Sequence, residues 1–246
     1  MNLKLLSSSA YHSLRTSGFM KLPSERTLRD YTHFFKSTTG FQGDVDAMLK
    51  RELRLEELDS SDANRYVILL IDEIKIKESL VYDKFSSQVI GFVELDNIDE
   101  HVERIQQLYS GQSANLPKTV ATHVQAIMVR GLFTSCKFPL AHFPTSSITG
   151  DQLFTIVWEA VERLERIGLK VLAITADGAG PNRKFFHLHF NSTKNHVCYK
   201  TTNPYTKESR PIYFFCDVPH LMKTTRNCWS HSGTNGTRSM WVSTYV

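Results

Sequence analysis

A helix that leads directly into a buried strand is the feature that most constrains the fold of this chain. Apolar residues recur at helical spacing between Leu153 and Ile167, after a capping box at Thr149 and Gln152. The short apolar run Val171–Ile174 follows at once. Because a helix that feeds such a strand is half of a β-α-β crossover, we predict that this strand lies parallel to an earlier one.

The strands before this helix are predicted from apolar runs and alternation. Tyr66–Lys77 starts with five aliphatic residues after Tyr66, and Val124–Phe133 is a second long apolar segment, with Phe138–Phe143 as a short extension. Between them, Val81–Leu95 has the pattern of a hairpin that supplies a strand to the same sheet. Since no long crossover helix joins these segments, the three strands are predicted to form an antiparallel meander.

The remaining segments complete an α/β chain. The stretch Pro211–Cys216 reads as a further strand, between helices predicted near Pro181–Phe186 and Pro219–Cys228, and Asn97–Tyr109 suits a polar surface helix. The predicted order is β-β-β-α-β-α-β with a mixed sheet. Residues 1–60 are helical in pattern, with Ser24 as an N-cap, and form a helix-turn-helix-like segment before a polar linker.

Charge is distributed unevenly along the chain. The net charge is +4, but from Gly178 onward nine Lys and Arg stand against two acids, a net +7. Such a basic region suits a polyanion, above all nucleic acid; a solvated basic face without a partner is the alternative. With 41 % hydrophobic and 22 % charged residues the composition excludes general disorder, collagen and coiled coil. No long apolar run predicts a membrane span or secretory signal, so a nuclear or cytoplasmic protein is expected.

Two aspartates stand at positions that suggest chemistry. Asp72 shares its strand face with Ile68 and Leu70, where an acid is costly unless it is paired, protonated or bound to a metal. Asp177 ends the strand after the long helix, at an edge where α/β sheets bind ligands. If the two strands are adjacent, both carboxylates could share Mg²⁺ or Mn²⁺. The alternatives are a buried salt bridge for Asp72 and turn or helix-cap chemistry for Asp177.

Six segments in order resemble the P-element transposase family, which has an RNase H-like core. They are LPSERTLRDY (22–31), LLIDEIKIKESLVYD (69–83), IGFVEL (90–95), TSCKFPLAHFP (134–144), ITADGAGPNRKFF (174–186) and FFCDVPHLMKTTRN (214–227). Any one of these segments is a weak signal, whereas their joint order is specific. The resemblance extends from Leu22 to Trp241 and implies a cut-and-paste DNA transposase of nuclear location.

The resemblance also assigns roles to individual residues. It implies that Asp72 and Asp177 are catalytic acids and metal ligands for Mg²⁺ or Mn²⁺, on a core at residues 66–216. Residues 217–246 are similar to the start of a GTP-binding insertion, in which Asp217 and Lys223 would bind the nucleotide. DNA and GTP are the implied partners, and self-association into a homo-oligomer is left open.

The chain departs from the family pattern in two places. The third catalytic acid of the family is a glutamate beyond the insertion, whereas Glu208 is the only glutamate here after Asp177. The cysteines and histidine of an N-terminal zinc finger are also absent, and the chain is expected to be a truncated form. We therefore expect an incomplete transposase for metal-dependent DNA strand cleavage and transfer; the alternative is a non-catalytic DNA-binding or regulatory remnant, so enzymatic activity is left open.

Overall fold

The computed structural model describes residues 7–24, 26–28, 39–59, 61–83, 87–93, 119–189, 199–207 and 209–232. The chain divides into two compact units, Met1–Thr38 and Thr39–Val246. The first contains helix α1, Ser8–Thr16, capped by the Ser7 side chain. In the same unit the Ser24 hydroxyl accepts a hydrogen bond from the Thr27 amide at 3.0 Å, which confirms the predicted N-cap.

The second unit carries the remaining elements. Its helices are α2 (Gly43–Glu52), α3 (Gly150–Arg166), α4 (Gly180–His187) and α5 (Val218–Ser230), with 3-10 turns at Leu55–Glu57 and Ala63–Arg65. Its strands are β1 (Tyr66–Lys75), β2 (Val81–Asp83), β3 (Gln88–Ile90), β4 (His123–Gly131), β5 (Lys137–Thr145), β6 (Lys170–Ala176), β7 (Lys200–Thr202) and β8 (Pro211–Cys216). No helix among the described residues is long and apolar enough to cross a membrane. The helix predicted at Asn97–Tyr109 lies outside the described residues.

Six of these strands form one mixed sheet in the order β5-β4-β1-β6-β8-β7. Strand β1 pairs antiparallel with β4 and parallel with β6, and β6 pairs parallel with β8. The predicted crossover is therefore confirmed: α3 leaves the meander and returns the chain alongside β1. The predicted capping box is also present, since the Thr149 hydroxyl accepts from the Gln152 amide and the Gln152 side chain accepts from the Thr149 amide.

The strand composition of the meander differs from the prediction. Strands β2 and β3 form a separate two-stranded sheet, so the predicted hairpin does not join the main sheet. Its apolar side chains stay exposed, for example Tyr82 at 61 %. The third meander strand is β5, although Phe138–Phe143 is predicted only as a short extension. Prolines interrupt the pattern of this strand. An edge strand with a bulge accommodates them: β5 is at the edge, and its register shifts where Pro139 pairs with Met128.

Helix α3 and the sheet share one hydrophobic core. Val67, Leu69 and Ile71 of β1 belong to the same buried cluster as Leu153 and Val157 of α3. Residues of opposite parity on β1 are only partly buried, because they point to the other face of the sheet. Burial thus divides the sheet into a covered face and an open face.

One irregularity sets the register between β1 and β6. Val67 pairs with Val171, but the next residue of β1, Ile68, pairs with Ala173, so Leu172 is an extra residue in β6. Beyond this bulge the pairing is regular up to Ile71 and Ala176. The bulge therefore determines which residue of β6 stands beside each residue at the end of β1.

Candidate metal centre at the carboxyl edge of the sheet

Three aspartates follow one another across the carboxyl edge of the parallel strands. Ile71 pairs with Ala176, and Ala176 pairs with Cys216. The next positions on β1, β6 and β8 are Asp72, Asp177 and Asp217. Adjacent parallel strands are about 4.8 Å apart. If the register continues for one more residue, Asp72 and Asp177 are neighbours across the two strands. In each strand, the aspartate follows the alternation of the residues on the open face, so all three aspartates belong to that face.

The surroundings of Asp72 differ from the expectation. We predicted an acid on the apolar, buried face of β1, but the buried residues of β1 are those of opposite parity, and Asp72 is exposed. On its own face, Ile74 is 53 % exposed. The reason is that α3 covers the face of Val67 and Leu69. The expected desolvation cost at Asp72 is therefore wrong, and among the described residues no salt bridge to its carboxylate forms.

The two carboxylates have unequal partners. Asp177 Oδ1 accepts hydrogen bonds from the Ala179 amide at 2.8 Å and from Asn182 Nδ2 at 2.5 Å. Asp177 thus does perform the turn chemistry considered as an alternative, just before α4, and its second oxygen is left for another ligand. The Asp72 carboxylate accepts no hydrogen bond from the described residues, so both of its oxygens are left for a ligand.

Buried polar side chains support this edge from the neighbouring strands. Gln125 on β4 is 2 % exposed, and its Nε2 donates to the backbone oxygen of Asp72 at 3.0 Å. Thr145 on β5 is 1 % exposed, and its hydroxyl donates to Glu73 Oε1 at 3.2 Å. Sequence reasoning missed these residues and Asn182, because nothing along the chain shows which polar residue stands beside Asp72 or Asp177 before the register is known.

Asp217 begins helix α5 together with a histidine. Its Oδ2 caps the helix by accepting from the His220 amide at 3.4 Å and lies 2.5 Å from His220 Nδ1. The hydrogen bond to Asp217 raises the pKa of His220, and the negative charges of Asp177 and Asp72 add to this effect. His220 therefore lies within the electrostatic reach of all three carboxylates. Lys223 is exposed, three residues further along α5.

The residues at this edge fit a hard divalent cation. Carboxylate oxygens are the ligands that Mg²⁺ and Mn²⁺ prefer, and Asp72 and Asp177 offer three oxygens that no described residue occupies. Within the described part of the chain, no three His, Cys, Asp or Glu side chains are close enough to hold a metal by themselves. Two protein carboxylates suit Mg²⁺ in particular, because this ion keeps water or substrate phosphate oxygens in its other positions.

A comparison with protein families identifies the domain. Residues 37–189 match the TNP-like RNase H N-terminal domain. The chain belongs to this family. The match includes β1 with Asp72, the crossover helix α3, and β6 with Asp177, and it confirms the transposase resemblance seen in the sequence.

Two transposases are similar to this TNP-like RNase H chain over nearly its whole length. The human DNA transposase THAP9 is 25 % identical over 232 residues, which is 93 % of this chain and 23 % of the human protein. The P transposase of Drosophila melanogaster is 26 % identical over 231 residues, or 91 % of this chain and 24 % of the fly protein. The chain therefore spans about a quarter of the length of these relatives.

A solved structure has the same fold as this TNP-like RNase H domain. The Drosophila P element transposase in its strand transfer complex matches with a TM-score of 0.65 and 24 % identity, over 96 % of this chain and 44 % of that chain. The predicted RNase H-like α/β class, with a mixed sheet, is thus confirmed.

Proposed function

We propose that this chain is the catalytic-core portion of a P-element-type DNA transposase, with Asp72 and Asp177 as ligands of Mg²⁺ or Mn²⁺. The observation that carries the proposal is the register of β1 and β6, in which Ile71 pairs with Ala176 and the next residue of each strand segment is an aspartate. Homology to two DNA transposases supports the class of reaction. An open face matters because DNA is too large to enter a closed pocket.

In this proposal the two aspartates bind a cation and hold it toward DNA. Their negative charges repel each other in the free protein, and a bound cation removes this repulsion. When bound, the metal supplies Lewis-acid activation of a phosphodiester and of the attacking water or 3′-hydroxyl. Asp177 is held through Oδ1 by its turn and by Asn182, whereas no described residue holds either carboxylate oxygen of Asp72.

The DNA would lie along helices α4 and α5. Both helices begin directly after strands that end at the aspartate edge, α4 after β6 and α5 after β8. Arg183 on α4 and Lys223 and Arg226 on α5 are exposed cations. Such residues attract the phosphate backbone without reading base sequence, so we propose salt-sensitive DNA binding of low sequence specificity. A DNA-binding role leads us to propose a nuclear location.

We propose that Asp217 and Lys223, the two residues implied by the family resemblance, bind GTP. The exposed ammonium of Lys223 suits a phosphate group, and Asp217 lies six residues earlier, at the N-cap of the same helix. Equilibrium binding of a fluorescent GTP analogue to the parent and to Lys223→Ala tests this site. Self-association belongs to the same proposal, and sedimentation of the protein with and without DNA tests it.

A second candidate function is DNA binding without cleavage. It is favoured by the potential ligands, since the described residues include no group of three His, Cys, Asp or Glu side chains that could hold a metal. A site with fewer than three carboxylates would bind one of the two metal ions that phosphodiester chemistry uses only weakly. Glu208, the only later glutamate, lies outside the described residues. In this alternative the fold and basic helices persist, and DNA is bound but remains intact.

Two measurements test the proposal. Calorimetric titration with Mn²⁺ should detect binding to the parent protein and none to Asp72→Asn or Asp177→Asn. The control is Asp151→Asn on α3, an exposed acid paired with Lys184, which should bind Mn²⁺ as the parent does. Incubation with supercoiled plasmid and Mn²⁺ then separates the two functions: nicking supports the transposase, whereas binding without nicking supports the second candidate. Absence of Mn²⁺ binding by the parent overturns the metal centre.

A further inference from the structure

The side chain of Asn182 is buried and directed at one of the aspartates. Asn182 lies in the first turn of α4 and is 7 % exposed. Its Nδ2 donates to Asp177 Oδ1 at 2.5 Å, and the same oxygen accepts from the Ala179 amide. A buried amide requires a hydrogen-bond partner, and here that partner is a carboxylate at the candidate metal centre.

Helix α4 holds Asn182 in a fixed place. Phe185, one turn further along, is fully buried, and it belongs to the same hydrophobic cluster as Leu153 and Val157 of α3. The two helices also approach closely: a Cβ added at Gly150 on α3 would lie 2.7 Å from the Cβ of Lys184. Because Lys184 and Phe185 pack α4 against α3 directly after Asn182, a displacement of the amide requires a displacement of the helix.

We infer that Asn182 is a positioning residue for Asp177, and this inference rests on the proposed metal centre. The Ala179 amide alone suffices to close the turn after β6, as it does in ordinary Asp turns. The additional bond from Asn182 fixes the rotation of the carboxylate, so that Oδ1 is occupied and Oδ2 is the oxygen presented to a cation. Partners that orient metal ligands in this way change metal affinity by about 10–100-fold when they are removed.

The variant Asn182→Leu tests the inference, because leucine has a similar size and cannot donate. The matched control is Asn203→Leu. Asn203 is also a buried amide, at 2 % exposure, and its Nδ2 donates to Glu165 Oε1 at 2.8 Å. It lies beside the start of β8, at the edge of the sheet opposite to the aspartates. Both variants lose one buried hydrogen bond to a carboxylate, but only one of those carboxylates is a candidate ligand.

Mn²⁺ affinity by calorimetry and the Mn²⁺-induced rise in Tm are the readouts, both without DNA. Asn182→Leu should bind Mn²⁺ at least about tenfold more weakly than the parent, while Asn203→Leu loses thermal stability and keeps the parent affinity within about twofold. If Asn182→Leu does not fold, Asn182→Ala is measured in its place. Parent-like affinity in the Asn182 variant overturns the inference and leaves the metal centre standing, whereas a parent that binds no Mn²⁺ overturns both.

Discussion

Arg210 and Glu165 form a two-point ion pair at the amino edge of the sheet. Arg210 Nη2 lies 2.6 Å from each oxygen of the Glu165 carboxylate. The same arginine donates through Nη1 to the Val171 backbone oxygen at 2.7 Å, and Glu165 Oε1 accepts from the Val171 amide at 2.8 Å. The pair therefore joins the end of α3, the start of β6 and the start of β8, at the edge opposite to the aspartates.

This pair should be a major stability determinant. Its side chains are 13 % and 8 % exposed, so removing one partner leaves a buried charge unpaired. We expect Glu165→Gln to lower the free energy of unfolding by about 3–5 kcal/mol, measured by urea denaturation. The control is Glu162→Gln. Glu162 forms an exposed ion pair with Arg166 at 3.9 Å, so this variant should change the free energy of unfolding by less than about 1 kcal/mol. A small effect of Glu165→Gln would show that water reaches the pair.

Replacing Asp72 should not lower the thermal stability, in contrast to replacing Glu165. In the protein without metal, Asp72→Asn removes like-charge repulsion from Asp177 and breaks no bond with the described residues. We expect its Tm, by differential scanning calorimetry, to equal or exceed that of the parent, while the rise in Tm on adding Mn²⁺ disappears. For contrast, Asp46→Asn should lower the Tm, because Asp46 pairs with Arg163 at 3.6 Å and Arg166 at 3.4 Å. A lower Tm for Asp72→Asn would mean that its carboxylate has a structural partner.

Protonation of His189 should destabilise the fold in mild acid. Burial lowers the pKa of His189 from its usual 6.5, outweighing the backbone hydrogen bonds that raise it. Its Nε2 accepts a hydrogen bond from the Trp158 indole at 3.0 Å. Protonation of Nε2 would remove this acceptor and break the bond. The unfolded chain therefore binds the proton more readily, so stability is full above pH 6.5 and falls as the pH drops through the lower folded pKa.

Chemical denaturation between pH 5 and pH 8 measures this effect of His189. In the variant His189→Gln the loss of stability toward acid should be smaller. His187→Gln, at an exposed position on α4, serves as the control and should leave the parent slope unchanged. An identical slope in all three proteins would assign the acid sensitivity to other groups.

DNA binding should depend on salt through the cations of α5. Each phosphate contact that is lost reduces the slope of log affinity against log salt by about 0.9. We expect the double variant Lys223→Ala with Arg226→Ala to bind DNA more weakly and with a slope smaller by up to about 2, measured by fluorescence anisotropy. The double variant Lys50→Ala with Arg51→Ala on α2 controls for net charge. An equal loss of DNA affinity in the two double variants would indicate that DNA is attracted by the total charge of the protein alone.

The crossover was the most predictable part of the fold because it depends on local signals. The capping box, the helical period of α3 and the apolar run of β6 all lie within a single stretch, and packing did not override them. In contrast, β5 is difficult to predict from the sequence because it contains Pro139 and Pro144, which an edge strand tolerates. The hairpin β2–β3 has the apolar pattern of a buried strand pair although its side chains are exposed. Its sequence therefore predicts pairing with the main sheet, which does not occur.

The candidate site could be predicted only in part. The positions of Asp72 and Asp177 followed from strand ends, but the burial of Asp72 did not, since Val67–Ile71 is apolar on both faces and its sequence does not show which face α3 covers. Gln125 and Asn182 could not be found, because each meets its partner through pairing or helix packing between segments distant in sequence.

The extra residue in β6 has a consequence for how genes of this kind can vary. Leu172 is unpaired, and Val171 and Ala173 on either side of it pair with the consecutive residues Val67 and Ile68. Loss of the Leu172 codon should therefore give a regular ladder and leave the two acids adjacent. A codon gained between Ala173 and Ala176 should instead move Asp177 beside Glu73, with its side chain on the opposite face. Inactive copies could thus arise from an in-frame insertion that leaves both aspartates in the gene.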